Sequence, residues 1–124
     1  MILAICLLLT GCGVKTRSVY RVVTGVEVAY SRAGDTLYRT YTKQASMGSI
    51  LTYLRLLRPF GPTVPKESFD TSCTIKLQYS DGTDSVYLQQ GNRYLRRDGE
   101  EWQNIDRSRA TLLYPLLLLL PSDA

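Results

Sequence analysis

The chain has 124 residues, 15 Lys plus Arg against 11 Asp plus Glu, a net charge of +4, three cysteines and no histidine. That length allows one domain with a single modest core. The missing histidine removes the commonest general base and metal ligand and excludes Ser-His-Asp and Cys-His catalysis, and the scattered basic residues, with no contiguous stripe, argue against a nucleic-acid partner.

The chain begins with an apolar run, Met1 to Leu9, that closes in Thr10-Gly11-Cys12 and gives way at once to the polar Gly13-Val14-Lys15-Thr16-Arg17-Ser18. The run is too short to cross a bilayer, which takes about 20 residues, and has the size of a secretory h-region. Leu9-Thr10-Gly11-Cys12 resembles the lipobox of bacterial lipoproteins: a large apolar residue, two small ones, then the cysteine that receives the lipid. The resemblance implies cleavage before Cys12, a diacylglyceryl group on its thiol, and an extracytoplasmic address on the cell membrane or the outer membrane. Residues 1–11 are then a signal peptide, 12–18 a lipidated tether and 19–124 a single folded domain. A basic n-region usually precedes such a run, so the natural start is expected upstream of Met1. Two acyl chains on one glyceryl group hold a protein stably, because each buried methylene contributes about 0.8 kcal/mol and one chain alone is marginal. With Cys6 removed and Cys12 acylated, Cys73 has no partner, and no disulfide framework or cysteine-based metal site remains.

Val19 to Tyr30 is rich in Val and Tyr, with Tyr20, Val22, Val26, Val28 and Tyr30 on one parity, and reads as a long strand with one face inward. Ser31 to Asp35 breaks it, Gly34-Asp35 supplies a tight turn, and Thr36 to Thr42 returns as the second strand of a hairpin. A helix over 44–58 follows. Met47, Ile50, Leu51, Leu54 and Leu57 form its apolar stripe, Gly48 allows close approach to the sheet, and Pro59 ends it. The segment from Phe60 to Lys66, interrupted by two prolines and a glycine, is a crossing loop.

Cys73, Ile75, Leu77 and Tyr79 then alternate with Thr74, Lys76, Gln78 and Ser80, apolar in and polar out. Asp81-Gly82 turns the chain into Ser85 to Gln89, Gly91-Asn92 into Arg93 to Arg97, and Asp98-Gly99 into a short last strand over Glu101 to Ile105 with Trp102 as a core anchor. Asp106 caps a terminal helix that Pro115 shortens or kinks, and Leu116 to Leu120 is expected to cover the sheet. Left exposed, the same leucines would be a partner-binding surface or an aggregation hazard. The fold class is α+β: an antiparallel sheet of about five strands in the order β-β-α-β-β-β, one central helix packed on it, and a short C-terminal helix. In outline this resembles the small cystatin-like α+β domains found in extracytoplasmic lipoproteins.

No catalytic residue, cofactor or metal site emerges. Asp81 and Asp84 invite a calcium reading, but turn chemistry accounts for Asp81-Gly82 and a calcium site needs six or more oxygens. Glu100 or Glu101 with Glu27 or Asp106 would make a glycosidase-like pair only if the fold brought them together. The nine tyrosines, several beside arginines (Tyr20-Arg21, Tyr38-Arg39, Arg93-Tyr94), have the composition of a binding rim, although half-buried strands also select Tyr. Candidate binding residues are Tyr53, Tyr94 and Trp102. The expected function is a membrane-anchored, non-enzymatic lipoprotein. It contacts membrane lipid through Cys12 and binds a protein, peptide or envelope polymer. The alternative is a small-ligand carrier or carboxylate-based enzyme with a pocket between the helix and the sheet, bordered by Tyr53, Tyr79 or Trp102.

Overall fold

The structure, a computed structural model, describes residues 22–66 and 68–123. The lipobox with Cys12, the tether, and Val19, Tyr20 and Arg21 of the expected first strand lie outside the described residues. Six strands and three helices follow in chain order: β1 (Val23–Arg32), β2 (Asp35–Tyr41), α1 (Gln44–Leu56), β3 (Thr71–Tyr79), β4 (Asp84–Gln90), β5 (Tyr94–Arg97), β6 (Gln103–Asn104), α2 (Arg107–Ala110) and α3 (Leu113–Leu119). The strands form one antiparallel sheet in the order β2-β1-β3-β4-β5-β6. The fold class is the expected α+β, with the two-residue β6 as a sixth strand.

Register explains which face is buried. Val26 and Val28 of β1 sit opposite Leu77 and Ile75 of β3, and all four are buried in the core, together with Cys73. Thr74, Lys76 and Gln78 therefore point to the other face, as the period-2 alternation demands. The first strand departs from its expected parity. Its register shifts between Val23 and Gly25, so Thr24 is an extra residue, and Val23 rather than Val22 packs against the core. Val22 is exposed. A bulge inverts the parity of everything before it, which alternation alone does not reveal.

The β1–β2 turn is centred one residue earlier than expected. Arg32 pairs with Asp35, and the two loop residues are Ala33 and Gly34, with φ of 50° and 90°. Two positive φ values in a two-residue loop make a type I′ turn, whose twist matches the strands. The Asp81-Gly82 turn forms as expected, with the Asp81 carboxylate accepting from the Thr83 N–H at 3.0 Å.

Helix α1 packs on the sheet and buries Met47, Ile50 and Tyr53, with Leu57 buried just past its end, while Leu51 and Leu54 are half-buried at its flanks. The buried line thus runs through Tyr53, whose hydroxyl reaches Gln89 on β4 and the Ala110 carbonyl of α2. Gly48 faces open space and makes no close approach to the sheet. Arg58, with φ 47°, takes the left-handed position after the helix, and Pro59 follows.

The C-terminal segment forms two short helices. Asp106 caps α2 by accepting from the Arg109 N–H at 3.2 Å. Pro115 falls in the first turn of α3, where its missing N–H has no intrahelical acceptor to lose, so it starts a second helix rather than kinking one. Leu113 and Leu117 are fully buried, each worth about 1.5–3 kcal/mol of apolar transfer. Arg39 on β2 donates through Nε to the carbonyls of Leu117 and Leu120, both at 3.1 Å, and caps the C-terminal end of α3.

Candidate functional site

The helical layer does not close on its outer side. Between α1 and α3 runs a groove of about 400 Å³, lined by Ser49, Thr52, Tyr53 and Leu56 from α1 and by Leu112, Pro115, Leu116 and Leu119 from the C-terminal segment. The α1 residues recur at three- and four-residue steps, so they share one helix face. Helical spacing also sorts the C-terminal leucines: Leu113 and Leu117 enter the core, whereas Leu112, Leu118 and Leu119 are 52%, 55% and 79% exposed. The leucine run is therefore core on one side and open apolar surface on the other.

Charge around the groove is one-sided. Neither α1 nor the segment 107–120 contains an acidic residue, while Arg55, Arg58, Arg107 and Arg109 fall in or beside them. The backbone N–H of Asp106 donates to the Leu57 carbonyl, so the end of α1 meets the start of α2. Arg109 reaches the Leu56 carbonyl at 3.4 Å, and Arg55 reaches the Thr52 hydroxyl at 3.5 Å. Of the two flanking acids, Asp106 caps α2 and also pairs with Arg109 at 3.8 Å, and Asp123 accepts from the backbone at the start of α1. Backbone N–H bonds, the one from Arg109 foremost, hold the Asp106 carboxyl below its usual range. The Lys43 and Thr42 N–H groups do the same for Asp123.

The sequence-derived binding residues do not converge. Tyr53 is buried, and its hydroxyl donates to Gln89 Oε1 at 2.6 Å and contacts the Ala110 carbonyl oxygen at 3.3 Å. Burial pushes its pKa far above the ordinary tyrosine value, so it stays a neutral donor. Tyr94 is also buried, edge-on to Phe69 at 5.9 Å. Trp102 is half-buried under the Arg96 guanidinium, 5.2 Å from its ring centroid, and is not part of the core cluster, contrary to the expected anchor role. The Tyr79 hydroxyl pairs with Ser85 at 3.1 Å. Tyr53, Tyr79 and Trp102 are thus engaged in three separate contacts and do not border a common helix–sheet cavity.

The expected tyrosine–arginine rim is rearranged as well. Arg39 caps α3 through Nε while its Nη1 donates to the Tyr38 backbone carbonyl at 3.2 Å, and Arg93 lies over Tyr94 at 5.8 Å. A stack that sequence adjacency does not signal forms instead at the turn end of β1. The Tyr30 and Tyr114 rings lie 5.2 Å apart, and the Arg32 guanidinium sits 5.0 Å from the Tyr114 ring centroid.

The carboxylates are dispersed. Glu27 accepts from Gln78 at 3.2 Å, Asp84 pairs with Lys76 at 3.8 Å, Glu100 lies 4.0 Å from Arg97, and Asp106 is a helix cap. Among the described residues no three His, Cys, Asp or Glu side chains group as metal ligands, and no helix is long and apolar enough to cross a membrane. Cys73 is buried, and its surroundings push the thiol up to about 12, which makes it a small hydrophobe rather than a nucleophile. No family model, curated protein sequence or solved structure matches the chain.

Proposed function

We propose that this chain is a lipid-anchored, non-enzymatic binding domain on the extracytoplasmic side of a bacterial membrane, held through Cys12. The observation that carries the reading is the lipobox-like Leu9-Thr10-Gly11-Cys12 ahead of a polar tether. The geometry of the domain agrees with a binding role. Its most perturbed groups, Tyr53 and Cys73, are held neutral in the core, and its depressed carboxyls, Asp106 and Asp123, are spent on helix ends. Of its exposed large apolar side chains, Leu56, Leu112 and Leu119 rim one groove on the helical layer, while Val22, Tyr38, Phe60 and Val64 lie elsewhere.

Growth of cells expressing the chain with an alkyne-bearing fatty acid tests this. The account expects the tag on the wild-type protein and none on Cys12→Ala. An untagged wild-type chain would remove the anchor and the address with it.

A further inference from the structure

We infer that the α1–α3 face is a membrane-docking surface that lies on an anionic bilayer, Leu112 and Leu119 entering the acyl boundary while the arginines meet lipid phosphates. This rests on the anchored reading above and names what its helical layer contacts. Three observations on the molecule support it.

The first is shape. Leu112 and Leu119 are exposed along the wall of an open groove, Leu56 stands across it from them, and Leu118 is exposed outside it. Exposed leucines beside cationic side chains suit shallow insertion at a bilayer surface. The second is charge. Arg55 and Arg109 reach the groove wall at the Thr52 hydroxyl and the Leu56 carbonyl. Arg58 and Arg107 lie close to them in sequence, and the neighbouring acid, Asp106, pairs with Arg109 at 3.8 Å. Long cationic side chains that border leucines snorkel towards phosphate, and each is worth roughly five-fold in binding to an anionic surface. The third is reach. Residues 12–21 span at most about 35 Å if extended, enough for a domain of this size to turn any face to the bilayer that holds Cys12. Tethering also makes docking intramolecular, so a modest face suffices.

The test places an environment-sensitive fluorophore on Leu119→Cys in the full-length chain carrying Cys6→Ser, with Tyr38→Cys as the control. Tyr38 is 71% exposed and stands on the opposite face of the sheet, since it pairs with Ala29 rather than with a core residue. Buried Cys73 does not compete for the label. The labelled protein is read in vesicles of phosphatidylcholine with and without phosphatidylglycerol. The expected result is a blue shift at position 119 that grows with phosphatidylglycerol, weakens at high salt, and is absent at position 38. Emission at 119 unchanged by lipid, or equal shifts at both positions, overturns the inference, as does a shift that needs an added envelope protein, which would make the occupant a polypeptide. Intact mass of the same sample reports lipid on Cys12. If Cys12 is bare, the chain with Cys12→Ser is mixed with the vesicles from solution, so loss of the anchor and loss of docking are read separately.

Discussion

The hydroxyl of Tyr53 donates to Gln89 Oε1 at 2.6 Å, joining α1 to β4 through a bond between two buried side chains. Gln89 completes its own pairing by donating from Nε2 to the Gly91 carbonyl at 2.9 Å. Tyr53→Phe keeps the ring and leaves Oε1 buried without this donor, which costs about 1–3 kcal/mol. In a domain of this size that lowers Tm by roughly 4–8 °C per kcal/mol, readable by calorimetry. An unchanged Tm would show that the bond contributes nothing net.

The two faces of α3 separate cleanly by substitution. Leu117→Ala empties a fully buried site and is expected to cost 2–5 kcal/mol in urea unfolding, a range set by how far the cavity collapses. Leu119→Ala, on a residue 79% exposed, changes stability by less than about 0.5 kcal/mol. Equal costs at the two positions would contradict the division of the leucine run into core and surface.

The C-terminal tail is held by a carboxylate. Asp123 Oδ2 accepts from the N–H groups of Thr42 and Lys43 at 2.7 and 2.8 Å, Oδ1 accepts from Ser46, and the tail backbone bonds Thr40 on the β2 edge. Because folding lowers its pKa, the stabilisation from Asp123 is present above the ordinary aspartate value near 3.9 and is lost as pH falls through the lower folded value. Amide shifts of Thr42 and Lys43 followed by NMR should therefore step only below about pH 4. Asp123→Asn should abolish the step; its survival would assign it to another group.

Strain in the first hairpin gives a prediction of opposite sign. Ala33 carries a side chain at φ 50°, a conformation that costs an L-residue about 1–2 kcal/mol and glycine almost nothing. Ala33→Gly returns part of that as unfolded-state entropy, leaving a net gain of about 0.5–1 kcal/mol. Destabilisation in chemical denaturation would mean that the side chain makes a compensating contact. Gly91→Ala should destabilise, since its φ is also positive and an added Cβ would meet the Phe69 ring at 2.5 Å.

Local chemistry made much of this fold legible. The Asp81-Gly82 turn, the inward set of Cys73, Ile75 and Leu77 and the Asp106 cap all depend on residues close in sequence and are where that chemistry puts them. Helix α1, in contrast, ends at Leu56, before the expected 58, because Arg58 already takes the left-handed position ahead of Pro59. What escaped depends on contacts made at a distance. The bulge at Thr24 inverts the parity of Val22 and Val23. Tyr53 becomes core because Gln89 and Ala110 wait for its hydroxyl. The caps that Arg39 gives α3 and Asp123 gives α1 join residues about 80 positions apart. The groove was half legible: the leucines announced themselves, but only the two-helix geometry divides Leu113 and Leu117 from Leu112 and Leu119. The pocket expected between helix and sheet was to be bordered by Tyr53, Tyr79 or Trp102, and these side chains engage Gln89, Ser85 and Arg96 in separate places instead.

The most direct test of the central claim is the intact mass of the protein recovered from the membrane fraction, wild type beside Cys12→Ala. The account predicts a chain that begins at Cys12 and carries a diacylglyceryl adduct, both features lost in the variant. An unmodified wild-type chain that retains residues 1–11 would contradict it.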